Sequence, residues 1–477
     1  MNALHWILIT VHAVAGLFAA GHAVLHKRDP RAAFGWISVC VIFPLAGPLL
    51  YFLFGINRVH TRAKELARRS PFQIDIGYER SEEEGAPGIL GPHVPRDIAE
   101  IARISDAVTR RPLLGGNRIE MLHNGEDAYP VMLEAIERAQ RSVFLATYIF
   151  ETNTTGRRFI KSLARAARRG VDVKVMIDGI GELYSIPRAG TLLKKEEVRV
   201  ARFLPPSLIP PAVHINLRNH RKILVADGRI AFSGGMNIGD RHLAEMPDNP
   251  ARVVDAHFRL TGPVVRQIEQ VFLEDWRFVT GEHNAPAPIS TVDTGSTICR
   301  AIVDGPNEDI DKLSTILVGA VSAARSRISI MTPYFLPSRE MTAALQTAAL
   351  RGVEVTVVLP TKNNLPFVQW ATNNMLWELL QRGVRVYYQP PPFVHTKLFV
   401  VDDHYAQIGS ANIDPRSLRL NFELAIEVYD RPFVEVLAVH IEKKRNDSRE
   451  ISMRDMDTRP LSVRMRDAVA WLFSPYL

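Results

Sequence analysis

The chain has 477 residues, too many for one ordinary hydrophobic core, so more than one domain is expected. A formal net charge of +7 points to an anionic partner, either nucleic acid or an anionic lipid surface. Cys40 and Cys299 are its two cysteines, which excludes a disulfide framework.

The amino end is apolar. Residues 4–25 contain no Asp, Glu, Lys or Arg, and neither do residues 32–56. Both runs reach the roughly 20 residues that a bilayer core requires. Between them His26-Lys27-Arg28-Asp29-Pro30-Arg31 forms a polar turn, so the reading is a transmembrane hairpin. Met1-Asn2-Ala3 lacks the basic start of a signal peptide. Pro44, Gly47 and Pro48 are expected to kink the second helix or make it re-entrant. His5, His12 and His22 are read as interfacial or helix-packing residues. Lys27, Arg28 and Arg31 are outnumbered by Arg58, Arg62, Lys64, Arg68 and Arg69, which favours a cytoplasmic location for everything after Ile56. Residues 80–88 read as a charged, Gly/Pro-containing linker.

The body is duplicated. In the first half, helical spacing over 132–141 precedes a strand at 142–148, a helix at 156–169 and a strand at 170–177. The second half repeats this with 313–325, 328–334, 338–351 and 352–359. Such alternation predicts an α/β fold with mixed or mostly parallel sheets flanked by helices, in two pseudo-twofold-related lobes. The expected division is a transmembrane hairpin over 1–60, a juxtamembrane linker over 61–110, and lobes over 111–290 and 291–477. A Pro-rich apolar loop precedes each motif described next, at 203–211 and 387–394; these loops read as a greasy rim or as ordinary packed loops. Residues 365–370 and 375–377 read as helix core more than as membrane contact.

Each half carries H-x-K-x4-D. His220, Lys222 and Asp227 are followed by Asn237 in a small-residue turn; His395, Lys397 and Asp402 are followed by Asn412. Each matched pair is 175 residues apart. Two copies in fixed register point to a paired site rather than to chance. Around each motif the pattern is a β-hairpin, with Asp227-Gly228 as a strong turn dipeptide. His220 and Lys222 share one strand face. Asp227 lies on the other parity, up to roughly 23 Å away at about 3.3 Å per residue. Asp227 and Asp402 belong to the catalytic signature by letter, yet this geometry makes them turn residues. Asp255 and Glu423, in later strand-like segments, are the candidate carboxylate partners that fix the histidine tautomers.

Paired histidines suit phosphodiester exchange. One attacks phosphorus; the other protonates the leaving alkoxide and then deprotonates the incoming alcohol. Lys222 and Lys397 lower the histidine pKa values, whereas phosphate and carboxylates raise them. The lysines hold the non-bridging oxygens, with Asn237 and Asn412 as neutral substrate-binding donors. No metal-ligand cluster lies outside these motifs, and no cofactor or metal is expected.

These residues resemble the phospholipase D superfamily, and within it the bacterial cardiolipin synthases. The resemblance covers nearly the whole chain. It includes Arg28-Asp29-Pro30-Arg31, Asn219-His220-Arg221-Lys222, residues 234–240 and 332–337, and residues 409–418 through Asn421-Phe422-Glu423. It implies a membrane-bound enzyme of the bacterial inner membrane that transfers a phosphatidyl group between two phosphatidylglycerol molecules and releases glycerol. It also implies His220 as nucleophile, His395 as acid/base, and Asp255 and Glu423 as acidic partners. A hydrolase of the same superfamily is the competing reading. A nuclease lacks support, because no basic stretch is patterned with stacking aromatics, so no nucleic acid is expected.

Overall fold

The computed structural model describes residues 3–27, 30–43, 45–55, 89–90, 94–109, 111–208, 211–212, 217–282, 292–305 and 311–474. The expected linker at 80–88, the basic cluster from Arg58 to Arg69, Arg28, Asp29, and part of the first Pro-rich loop lie outside them.

One sheet of 15 strands runs through both halves. At its centre Leu114–His123 pairs antiparallel with Thr297–Asp304. Outward from Leu114–His123 come Ala256–Thr261, Ile230–Gly234, Ile223–Ala226, Ser142–Thr147, Asp172–Asp178 and Arg199–Phe203. Outward from Thr297–Asp304 come Glu423–Tyr429, Tyr405–Gly409, Leu398–Val401, Arg327–Met331, Glu354–Pro360 and Arg385–Gln389, with Arg449–Ile451 added at the edge. The two orders mirror each other across the central seam, as the sequence repeat requires.

Strand direction makes this a mixed sheet, the first of the two forms expected. Within this sheet only the outer three repeat strands of each half pair in parallel. The other pairings are antiparallel, because each H-x-K hairpin folds back inside the sheet. The helix–strand alternation that the sequence showed belongs only to the outer strands. There Val143, Leu145, Val355 and Val357 are buried in runs that need no polar alternation.

Three apolar clusters hold the fold. One covers the outer face of the first half and another that of the second. The third joins both halves, with the helices Val264–Thr280 and Arg431–Asn446 contributing Phe272, Trp276, Phe433 and Leu437. The helix Arg96–Thr109 falls in the segment expected to be linker. It is packed onto the second half, with Ile98, Ile101 and Ala102 against Leu313, Ile316 and Leu317. Its Ser105 hydroxyl donates to Glu427 at 2.7 Å, and Arg300 donates to the Ala102 carbonyl at 2.9 Å.

At the amino end Ala3–His26 is a 24-residue helix, about 36 Å long at 1.5 Å per residue and enough to cross a bilayer. It is the one such helix among the described residues. The second apolar run is not a single crossing helix. It breaks after Pro30–Ile42, 13 residues, and continues as the short helix Ala46–Leu50 and a wide turn, Tyr51–Gly55. Leu45 takes a φ of 60°, and Gly47 comes so close that a Cβ would lie 2.3 Å from the Val39 carbonyl. His22 Nδ1 bonds the Tyr51 hydroxyl at 2.7 Å, and the Leu45 N–H donates to His12 Nδ1 at 3.1 Å. Two of the three histidines therefore hold the hairpin together.

Candidate active site

The site is assembled by backbone pairing between the halves. Asn219 bridges Phe422 in parallel; the His220 N–H donates to the Phe422 carbonyl at 2.9 Å and the Phe422 N–H to the Arg218 carbonyl at 2.8 Å. The other motif repeats this. Phe393–Val394 pairs in parallel with Val253–Val254, and the His395 N–H donates to the Val254 carbonyl at 2.7 Å. Each histidine is thereby set beside the acid of the opposite half.

His220 Nδ1 lies 3.1 and 3.3 Å from the two oxygens of Glu423. His395 Nδ1 lies 2.8 Å from Asp255 Oδ2. A carboxylate only accepts, so each Nδ1 carries the proton and each Nε2 keeps its lone pair. Both carboxylates and both histidines are largely buried. Lys222 Nζ donates to the His220 carbonyl at 2.6 Å, and Lys397 Nζ to the His395 carbonyl at 2.5 Å. Lys397 also lies 3.0 and 3.1 Å from the two ring nitrogens of His395.

Burial and cations dominate the electrostatics. Burial and then Lys222 lower the His220 pKa, with Glu423 opposing. Burial, Lys397 and Lys222 drive that of His395 well below its ordinary value. Burial brings Lys222 down to about 7 and Lys397 to about 8. Burial raises Asp255. In Glu423 burial acts upward, but His220 and Lys222 overcome it and the carboxyl is lowered. With no substrate charge present, both imidazoles are neutral near pH 7 and the cations that would meet an anion titrate near neutrality. This arrangement accepts a phosphodiester anion, whose charge raises every cation beside it.

Asp227 and Asp402 lie away from this cluster, at the hairpin turns where the strand parity puts them. The Asp227 carboxylate accepts the N–H groups of Gln140, Arg141 and Ser142 at 2.7 to 3.2 Å. Asp402 does the same for Arg325, Ser326 and Arg327 at 2.7 to 2.9 Å. Both sit at hairpin turns with φ of 55° and 51°, a conformation Asp tolerates. Asn237 and Asn412 are buried, but their amides serve the local fold: Asn237 Oδ1 accepts the Ile149 N–H at 3.1 Å, and Asn412 Nδ2 donates to Ser417 Oγ at 3.1 Å.

Several residues at the site had no role in the sequence reading. Tyr148 meets the His220 ring edge-on at 5.2 Å between centroids, and Tyr334 meets His395 at 6.2 Å. Their signal was positional, since each lies just past one of two matched strands, Ser142–Thr147 and Arg327–Met331. Ser410 donates to Glu423 at 2.5 Å. Gly235 holds the matched place in the first half, where a Cβ would stand 2.4 Å from Asp255 Oδ1. The Gly/Ser difference between the two copies was visible and now has a cause. Arg221, the middle letter of the first motif, pairs with Asp275 at 2.5 Å and donates to the Glu423 carbonyl at 3.0 Å, tying the halves together.

The family described as cardiolipin synthase, PLD-like domain, matches residues 132–276 and 317–445, one segment per motif. A second, described as phospholipase D-nuclease N-terminal, matches residues 14–55. Cardiolipin synthase A of Pseudomonas putida is 31% identical over 476 residues, 99% of this chain and 98% of that protein. The probable cardiolipin synthase YwiE of Bacillus subtilis is 28% identical over 97% of this chain and 92% of that protein. The phosphatidylserine synthase of Haemophilus influenzae shares the fold, with a TM-score of 0.59 over 79% of this chain and 100% of that one at 16% identity. Duplicated motifs, crossed dyads and near full-length relatives agree: the chain belongs to the phospholipase D-like family of cardiolipin synthases.

Proposed function

We propose that this chain is a membrane-held phosphatidyltransferase that makes cardiolipin from two molecules of phosphatidylglycerol and releases glycerol. The observation that carries the reaction type is the pair of histidine–carboxylate dyads, each built from both halves, with a lysine beside each histidine.

In the first step His220 Nε2 attacks the phosphorus of one phosphatidylglycerol. The bond from phosphorus to the glycerol oxygen breaks, and protonated His395 gives its Nε2 proton to the leaving alkoxide. A phosphatidyl-histidine remains. In the second step a headgroup hydroxyl of another phosphatidylglycerol gives its proton to His395 and attacks phosphorus, which frees His220. Lys222 and Lys397 balance the charge growing on the non-bridging oxygens. The diester anion raises the pKa of His395 on binding, which arms it as the acid. His220 takes the nucleophile's role on family resemblance; Asp255 and Glu423 orient and support the opposite histidines.

We place the two lobes at 111–290 and 291–477 on the cytoplasmic side of the inner membrane, with the hairpin over 1–60 as anchor. The greater number of Lys and Arg after the second apolar run supports this orientation. The test is purified protein in phosphatidylglycerol vesicles. Cardiolipin with equimolar glycerol is expected; phosphatidic acid as the only lipid product would make the enzyme a hydrolase. His220→Ala should abolish the covalent phosphoenzyme, and label retained on His395 would reverse the assignment.

A further inference from the structure

Beyond the dyads, the loops that follow two matched strands carry exposed apolar side chains. Leu183 follows Asp172–Asp178 by five residues, and Leu365 follows Glu354–Pro360 by five. Around them Tyr184, Ile186 and Phe367 are also exposed, Ile186 at 94%. Exposed singly, such side chains mean little; gathered at matched places around one site, they mark a surface that meets something apolar.

Both loops are joined to the histidines by short chains of contact. Tyr184 packs against Tyr148 at 6.5 Å between ring centroids, and Tyr148 against His220. Asn364 accepts the Tyr334 hydroxyl at 2.8 Å, and Tyr334 meets His395. The apolar tips therefore rim the shared site from both halves. They are also held outward by a rigid base. Glu182, buried beside Leu183, accepts the Gly190 N–H at 3.0 Å and pairs with Arg202, while buried Asp178 accepts the N–H groups of Ile180 and Gly181 at 2.9 and 3.0 Å. On the other side Asn363 donates to the Pro333 carbonyl at 2.7 Å, and Phe367 rests on Phe473. Each tip has one exposed cation next to it, Arg188 or Lys362, and no carboxylate from 183 to 189 or from 361 to 367.

We infer that these two tips are a membrane-docking rim that sets the paired histidines against an anionic bilayer surface. The apolar side chains enter the acyl boundary while Arg188 and Lys362 stay at the headgroups. The helix Ala3–His26 of the same chain, long and apolar enough to cross a bilayer, would bring the lobes to such a surface. The inference rests on the reading that the substrate is lipid. A lipid drawn up between the tips reaches the histidines without leaving the bilayer, so the rim explains how two membrane-bound substrates meet a site built on soluble lobes.

The experiment uses the full chain in phosphatidylglycerol proteoliposomes. Cys40 and Cys299 are buried, so an environment-sensitive fluorophore can be attached to Ile186→Cys, Phe367→Cys, or the control Val436→Cys, which is exposed outside the rim. Nitroxides high on the acyl chains should quench the first two and spare the third. Quenching at 186 and 367 no stronger than at 436 would overturn the rim. Ile186→Asp should lower the ratio of activity on vesicles to activity on monomeric short-chain phosphatidylglycerol by about tenfold or more, given the cost of a carboxylate in a bilayer; an unchanged ratio counts against it. Quenching measured in a His220→Ala background separates the two readings: a quenched rim without cardiolipin formation by the unaltered enzyme would refute the reaction and keep the docking surface.

Discussion

His395 and Asp255 are 140 residues apart and belong to opposite halves of the duplication, yet His395 Nδ1 and Asp255 Oδ2 are 2.8 Å apart. His220 and Glu423 repeat the relationship across 203 residues. Neither half contains a complete dyad, so the site exists only when the central seam has formed. The cross-half strand pairings beside each dyad are the devices that enforce this.

Crossing separates the effects of the two acids. Glu423→Gln removes the tautomer lock of His220 and should slow formation of the phosphoenzyme by about 10²–10⁴-fold, the range for disabling one member of such a pair. Asp255→Asn acts on His395, which serves both steps, and should slow resolution of the intermediate as well as its formation. Rapid-quench measurement of phosphoenzyme checks both. A histidine served by its own half's acid would exchange the two phenotypes.

The lysines give a pH signature. Each works while protonated, and burial has brought Lys222 to about 7 and Lys397 to about 8. As pH rises through these values the cations are lost, so kcat/KM should fall on the alkaline side between about 7 and 8. Bound diester raises both, so the same limb in kcat should lie higher. Lys222→Arg keeps the charge at all relevant pH and should move the limb upward despite a lower maximum. Profiles flat to pH 9 would remove Lys222 from the charge balance.

Gly235 and Ser410 predict unequal responses. Gly235→Ala places a Cβ against Asp255 and should displace it from His395, with at least about a 10²-fold loss of activity in a folded protein. Ser410→Ala removes one hydrogen bond to the charged Glu423, about 1.5–3 kcal/mol, so roughly tenfold to a hundredfold. Activity together with circular dichroism distinguishes chemistry from unfolding.

Asp227→Ala and Asp402→Ala should act on stability. Each leaves three N–H groups without their carboxylate, a loss of about 1–3 kcal/mol. Burial pushes Asp402 upward, but its N–H and Ser326 partners outweigh this and hold it below its ordinary value. Its depressed pKa contributes stability above the unfolded value, and that stability is lost as pH falls through the folded one. Chemical denaturation measures the loss, and kcat of the folded fraction should remain near the parent's. A collapse of kcat without a change in stability would return the aspartates to the chemistry.

The sequence by itself determined the duplication, the two α/β halves, the matched His/Lys pairs and the turn position of Asp227 and Asp402. These follow from period, parity and residue type, which act over a few residues. Asp255 and Glu423 were legible as acids in the right kind of strand. Only the tertiary structure decided which histidine each one serves, because that depends on how two sheets join edge to edge at Leu114–His123 and Thr297–Asp304. The same long-range pairing made the sheet largely antiparallel, and it packed the helix Arg96–Thr109 onto the second half. At the amino end, Pro44, Gly47 and Pro48 announced a kink or a re-entrant turn, but only the structure shows its form, a break after Ile42 with Gly47 folded back onto Val39 and Cys40. Composition measures how apolar a segment is; whether it continues as one helix is decided by backbone geometry and by what it packs against.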